Sequence, residues 1–444
     1  MKKILSLILI IVAVLSLFGF TANAQNGITN IQTVKDEATV KFTKRFGVNY
    51  RFAPTPPIQV ENTLIVVSGN NLYKLDAQTG DEISVVQMQG SAFYAIVSPF
   101  YYDGKIYVQL DGGMVQAFDF ATMQSLWIYK DSLGGQALSP IIGDDGYIYT
   151  GFWNGETDYA NYVCISTKDE NINQTTENKQ ATWTYKSLGG FYWAGCTVVG
   201  DYIITGCDNG QQGYDEKSKI VSLDKHNGSL VDYLDVIGDI RSSVVYSPET
   251  NSCYTSSKAG YVYKFNIDLS TGRLENLKFY FVEGSITATP VVYNGRLYVG
   301  TNCGGQGRFT VINAETMNEI YYCDMQGYPQ ATMLLTTGYE SDNKKVYVYS
   351  TYNNKPGGIT VFEDSEGQTY PNKRELFIPD ENMSEYCIST IFAGSDGTLY
   401  YKNDSGYIFA VAEKTNFSEI LKSIITFLLS IAEKIKMIFG GGTE

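Results

Sequence analysis

One strand-and-turn phrase is written eight times between residues 37 and 412, and a chain built this way can bury its apolar faces only by stacking the copies. The clearest copies are Leu72–Gly80, Val115–Thr122 and Ile220–Gly228, joined by Val262–Asn266 running to Thr271-Gly272, and by Phe309–Thr316. Each alternates apolar and polar residues, stops at Asp or Asn, and reaches Thr or Gly a few residues later. Asp and Asn fold back onto local backbone amides and Gly supplies positive φ, so each copy reads as a strand entering a tight turn. Weaker copies are Tyr162–Ser166, Ile359–Glu363 and Tyr407–Val411.

A second unit precedes these copies: a small residue, a strand, an Asp-Gly or Asn-Gly pair, and another strand. Examples are Ser98–Val108, Ser139–Tyr149 and Ala288–Val299, and such pairs are strong hairpin signals. A fourth strand with an aromatic residue follows, as in Ser125–Lys130 and Ala181–Lys186. Four antiparallel strands repeated around a ring are the blades of an all-β propeller, and no helical periodicity interrupts them. The last copy, Ser389–Ala412, lacks a fourth strand, whereas Ala38–Gly47 near the start repeats the Ala181–Gly189 segment. The N-terminal strand is therefore predicted to complete the eighth blade, with Phe42 in the place of Trp127 and Trp183, removing the ring's open edge.

The flanks differ from the repeats. Lys2 and Lys3, an apolar run from Ile4 to Phe20 and Ala22-Asn23-Ala24 predict a secretory signal peptide over 1–24, and residues 25–36 read as a short leader to a propeller over 37–415. The chain is thus expected to be exported, as a secreted protein or one retained at the cell surface. After Lys414, Phe417, Ile420, Leu421, Ile424, Leu428, Ile431, Ile435 and Ile438 recur at helical spacing, predicting an amphipathic C-terminal helix before Gly440 within 416–444. Its apolar arc suits a membrane surface, a partner helix or the propeller itself, and it is too short in charge-free length to span a bilayer.

Composition narrows the function. With 33 basic against 47 acidic residues and a net charge of −14, the chain lacks the cationic surplus of a nucleic-acid binder. Its single histidine, His226, sits in the turn Asp224–Gly228 and removes multi-histidine metal sites. Seven cysteines are scattered without a C-x-x-C pair, which argues against a zinc site and for small buried residues on strands.

The Leu/Phe-Asp/Asn, Thr-Gly and aromatic-strand pattern resembles the repeat of pyrroloquinoline-quinone-type propellers over about residues 37–412. That superfamily is eight-bladed and includes quinoprotein alcohol dehydrogenases and the propeller lipoprotein of outer-membrane assembly, although no cysteine here marks a lipid-attachment site. The dehydrogenases in the family place an adjacent Cys-Cys disulfide against the quinone and bind calcium beneath it. No two cysteines here are adjacent, and the inner-strand starts, such as Ser98-Pro99, Ser139-Pro140, Thr289-Pro290 and Thr332-Met333, offer no carboxylate. We therefore expect no cofactor, no metal and no catalytic residue. Asp239, Glu283 and Glu385, in loops feeding different blades, read as solvated charges rather than a catalytic pair.

The same loops are rich in aromatics: Tyr50 with Arg51, Phe93 with Tyr94, Phe191-Tyr192-Trp193, Arg241, Tyr328 and Tyr386. Rings with one polar handle suit sugars, peptides or protein loops, so these residues are the predicted ligand-binding rim of a non-catalytic binding or scaffold module. The rival reading is a propeller enzyme, quinone-dependent or carboxylate-based.

Overall fold

The Asp-Gly and Asn-Gly pairs decide the local geometry. Asp103-Gly104, Asp145-Gly146 and Asn294-Gly295 all hold both residues at positive φ, between 46° and 78°, as a two-residue turn matched to strand twist requires. In this computed structural model, which describes residues 27–47, 53–92, 97–341 and 344–414, such hairpins build eight sheets of four antiparallel strands. The sheets run in chain order over 58–87, 100–130, 142–188, 197–237, 245–281, 291–325, 334–377 and 392–413; we number these blades 1 to 8. The protein is an all-β, eight-bladed propeller.

The eighth blade is completed from the other end of the chain. Ala38–Arg45 pairs antiparallel with Tyr407–Glu413, from Ala38 opposite Glu413 to Arg45 opposite Tyr407. Two further strands depart from the sequence reading. Glu177–Lys179 adds in parallel to the outer edge of blade 2. Ile28–Thr29, inside the stretch read as a leader, adds in parallel to the inner strand of blade 7. Neither has enough alternating residues to announce itself as a strand.

The core lies between consecutive blades rather than within them. One cluster joins Tyr149, Tyr162 and Trp183 of blade 3 to Ile203, Val221 and Leu223 of blade 4. The turn glycine of the repeat belongs to this contact. A Cβ on Gly228 would stand 2.5 Å from the Trp183 ring, and one on Gly80 would stand 2.5 Å from Phe42, both at positive φ. Phe42 and Trp183 therefore hold equivalent places under the turn of the next blade. The Asp of each turn is fixed by the amides it accepts: those of Gln78 and Thr79 bond Asp76 at 2.7 and 2.9 Å and hold its carboxyl below the ordinary value.

All seven cysteines are free. Burial pushes the Cys164, Cys196 and Cys253 thiols up to about 12, which leaves them unreactive packing residues. His226 lies in its exposed turn, 3.3 Å from Asp201. The expected signal peptide and the helix from Phe417 to Ile438 lie outside the described residues. Among the described residues no helix is long and apolar enough to cross a membrane.

Because Gly228 combines a φ of +71° with the Trp183 contact, Gly228→Ala should destabilise the fold by about 2–4 kcal/mol, the sum of left-handed strain and overpacking. Urea unfolding should show a lower midpoint with an unchanged m-value. A neutral result would mean the turn can shift off the ring.

Candidate functional site at the upper mouth of the channel

The face we call upper carries the links from the outer strand of one blade to the inner strand of the next, and the turns between each blade's second and third strands. Between blades 3 and 5, these loops bring three rings and four charges together. Tyr192 and Trp193 stack with centroids 4.6 Å apart and planes at 28°. Trp153, from the turn inside blade 3, meets Tyr192 at 4.8 Å. Arg241, from the link leaving blade 4, places its guanidinium 4.8 Å over the Tyr192 ring.

Arg241 is buried and its Nη2 donates to three carboxylates: Glu156 at 2.6 Å, Asp208 at 2.8 Å and Asp239 at 2.9 Å. The Asp239 side chain is wholly buried, so the expectation of a solvated charge is corrected. Burial lifts the Asp208 carboxyl well above its ordinary value against the opposing pull of Arg241, and lifts Asp239 in the same direction. On Arg241 burial acts to lower the pKa, but the Asp208 and Asp239 charges overcome it and keep the guanidinium charged.

Just inside the mouth, the channel holds a cavity of about 190 Å³, its wall including Ser98, Pro140, Trp193, Ser243, Thr289 and Thr332. No charged side chain lines it among the described residues. Trp193 sits at φ 59°, a conformation a bulky residue adopts only under outside constraint. Its indole nitrogen is shielded and has no acceptor among the described residues.

The predicted rim is thus partly assembled. Tyr192, Trp193 and Arg241 meet. Phe191 does not join them: it is buried in the blade core, edge-on to Tyr162 at 5.0 Å. Tyr328 lies in another sector, its hydroxyl accepting from Asn353 at 2.8 Å, and Tyr386 is exposed at the link between blades 7 and 8. Tyr50, Arg51, Phe93 and Tyr94 lie outside the described residues. Glu283 and Glu385 remain apart from the cluster; the Glu283 carbonyl accepts from Cys303, and Glu385 pairs with Lys355 at 3.0 Å. The sequence reading missed Trp153, Glu156 and Asp208 because it inspected only the links between blades. The turns after Gly151 and Cys207 open on the same face, and the repeat register could have placed them there.

Against known proteins, a family model described as "Outer membrane protein assembly factor BamB" matches residues 39–157. Among solved structures, BamB from Moraxella catarrhalis superposes with a TM-score of 0.56 at 13% identity, covering 86% of this chain and 99% of that one. At this identity the likeness is one of fold, the eight-bladed propeller. A europium-containing methanol dehydrogenase matches with a TM-score of 0.62 at 11% identity, covering 87% and 96% of the two chains. Quinohemoprotein alcohol dehydrogenase from Comamonas testosteroni matches with a TM-score of 0.62 at 12% identity, covering 88% and 80%. Compared by sequence with curated proteins, the chain matches none.

The dehydrogenases raise the question of a quinone with a metal ion. Glu156, Asp208 and Asp239 each bring one carboxylate oxygen within 4.8 Å of the others, the spacing of a cation site. That place is taken, since Arg241 Nη2 already bonds all three. The residues here do not fit calcium, and no adjacent cysteine pair exists to face a quinone.

Arg241→Met should cost about 3–5 kcal/mol, because it strands buried carboxylates without their cation. The raised Asp208 pKa means the native state keeps a proton that the unfolded chain has released. Stability should therefore fall as pH rises from the ordinary carboxyl value of 3.8 toward the folded one. Asp208→Asn should flatten that decline in urea midpoints measured between about pH 4 and 7; an unchanged slope would assign the proton elsewhere.

Proposed function

We propose that this chain is an exported, non-catalytic recognition module that binds a protein, peptide or glycan at the upper mouth of its propeller. The observation that carries this reading is the Trp153–Tyr192–Trp193 ring cluster beside an uncharged cavity. Flat rings with a fixed orientation provide contact area at low entropic cost. The neighbouring carboxylates support recognition rather than hydrolysis. A glycosidase needs two carboxyl groups facing the substrate, whereas Asp208 and Asp239 are buried and committed to Arg241.

The chain's net charge of −14 and the acidic excess around Arg241 disfavour an anionic ligand. Neutral glycans and neutral or cationic peptides are therefore the classes to test. Export rests on the basic, apolar and Ala-Asn-Ala pattern of residues 1–24. Retention at the cell surface rests on the apolar spacing from Phe417 to Ile438.

Titration of the protein's tryptophan fluorescence with neutral oligosaccharides and cationic peptides should reveal a ligand whose affinity falls at least about tenfold in Trp193→Ala. Binding of pyrroloquinoline quinone with calcium, accompanied by dye-linked alcohol oxidation, would overturn the reading. Truncation after Lys414 should leave a folded propeller that is released from membranes or becomes monomeric. Loss of cooperative unfolding would instead place the tail in the core.

A further inference from the structure

In each blade the residue two places before the inner strand occupies the same position of the repeat, so these residues ring the channel at one level. That position carries a hydroxyl in blades 2, 5, 6, 7 and 8, as Ser98, Ser243, Thr289, Thr332 and Thr390. All of them line the cavity just inside the upper mouth. Blades 5 to 8 thus present an unbroken arc of hydroxyls, Ser98 stands apart on blade 2, and Pro140 and Trp193 occupy the wall between.

Most of this arc has nothing to bond. The hydroxyls of Ser98, Ser243, Thr332 and Thr390 make no hydrogen bond to described residues, and none of the four is sealed by packing. Thr289 Oγ1 accepts from the Ser243 amide at 3.0 Å and still has a proton to give. Their chain neighbours are satisfied: Ser242 Oγ and Thr255 Oγ1 share a hydrogen bond of 2.9 Å, and Ser389 Oγ donates to the Thr390 carbonyl at 2.8 Å. We propose that the cavity receives one neutral pyranose ring, the end unit of a glycan, with its hydroxyls bonded to this arc and a C–H face toward Trp193. This rests on the upper mouth being a binding site.

The alternatives fit the wall less well. An apolar side chain of similar volume would strand four hydroxyls away from water, each at the full cost of an unmade hydrogen bond. A peptide side chain entering tip-first brings one or two polar atoms, too few for groups spread over blades 2, 5, 7 and 8. An anion finds no cation in the described lining, and a cation finds no carboxylate. A pyranose carries hydroxyls around its perimeter, each able to donate and accept, and its C–H faces are apolar.

Size and shape agree. A cavity of about 150 Å³ holds a benzene ring, so one of about 190 Å³ takes a single six-membered ring with its substituents. Trp193, stacked on Tyr192, borders that space and supplies a flat apolar wall. Arg241 over Tyr192 keeps the pair in place.

The test is saturation-transfer NMR on the full exported protein with the methyl glycosides of glucose, galactose and mannose, and with methyl glucuronide as a charged counterpart. At least one neutral glycoside should bind with a Kd on the order of 1 mM, the range open to about a dozen non-hydrogen atoms. The glucuronide should bind at least about tenfold more weakly, because its carboxylate has no partner in the lining. Ser98→Ala and Thr390→Val each remove one hydroxyl at little change in volume and should weaken the neutral glycoside about three- to tenfold. Urea midpoints of both variants check that the fold is kept. Unchanged affinity in both variants, or equal binding of the glucuronide, would overturn the proposal. So would Trp193-dependent binding of a peptide with no glycoside bound up to about 50 mM, a result that leaves the mouth as a peptide site. Binding of neither class would remove the reading of the mouth as well.

Discussion

The ring stands on one pairing between the two ends of the repeat region. Each blade buries its faces only against its neighbours, so an open ring would expose two blade faces and two strand edges. Ala38–Arg45 lying against Tyr407–Glu413 prevents this. Phe42 then supplies the ring that the turn of blade 1 needs, just as Trp183 does for blade 4. The apolar surface hidden between blades is the dominant stabilising term, and it becomes available only when the last strand is placed.

That closed scaffold lets the upper loops hold a strained and charged constellation. Arg241 is buried with carboxylates on several sides, an arrangement worth little as a source of stability but costly to break. Its value is positional. The guanidinium fixes Tyr192 from above, Tyr192 stacks on Trp193, and Trp193 is kept at a positive φ that it would not choose in a free loop. A cation supplied by the chain thus occupies the position where the carboxylate spacing alone would suggest a metal.

Much of this was legible in advance because propeller repeats write local physics repeatedly. Asp-Gly turns, alternating strands and the aromatic fourth strand each depend on neighbours within a few residues. The eight blades and the closing role of Ala38–Gly47 followed from counting them. The site was legible only in part. Tyr192, Trp193 and Arg241 are legible because they lie in inter-blade links, whereas Trp153, Glu156 and Asp208 lie in turns inside blades 3 and 4. Phe191 has the same composition signal as Tyr192 but packs inward against Tyr162, a difference set by the path of the link between Leu188 and Thr197 and not by any local periodicity.

Sequence alone determined the class of fold, the number of blades and the closure of the ring, because period, turn chemistry and strand alternation are short-range properties. Only the tertiary structure decided that Glu156, Asp208 and Asp239 converge on Arg241, and that Ile28–Thr29 adds in parallel to the inner strand of blade 7. Apart from Asp239, two residues from Arg241, those contacts join residues many positions apart in the chain. Their partners are set by the ring's curvature and by burial, which no local pattern records.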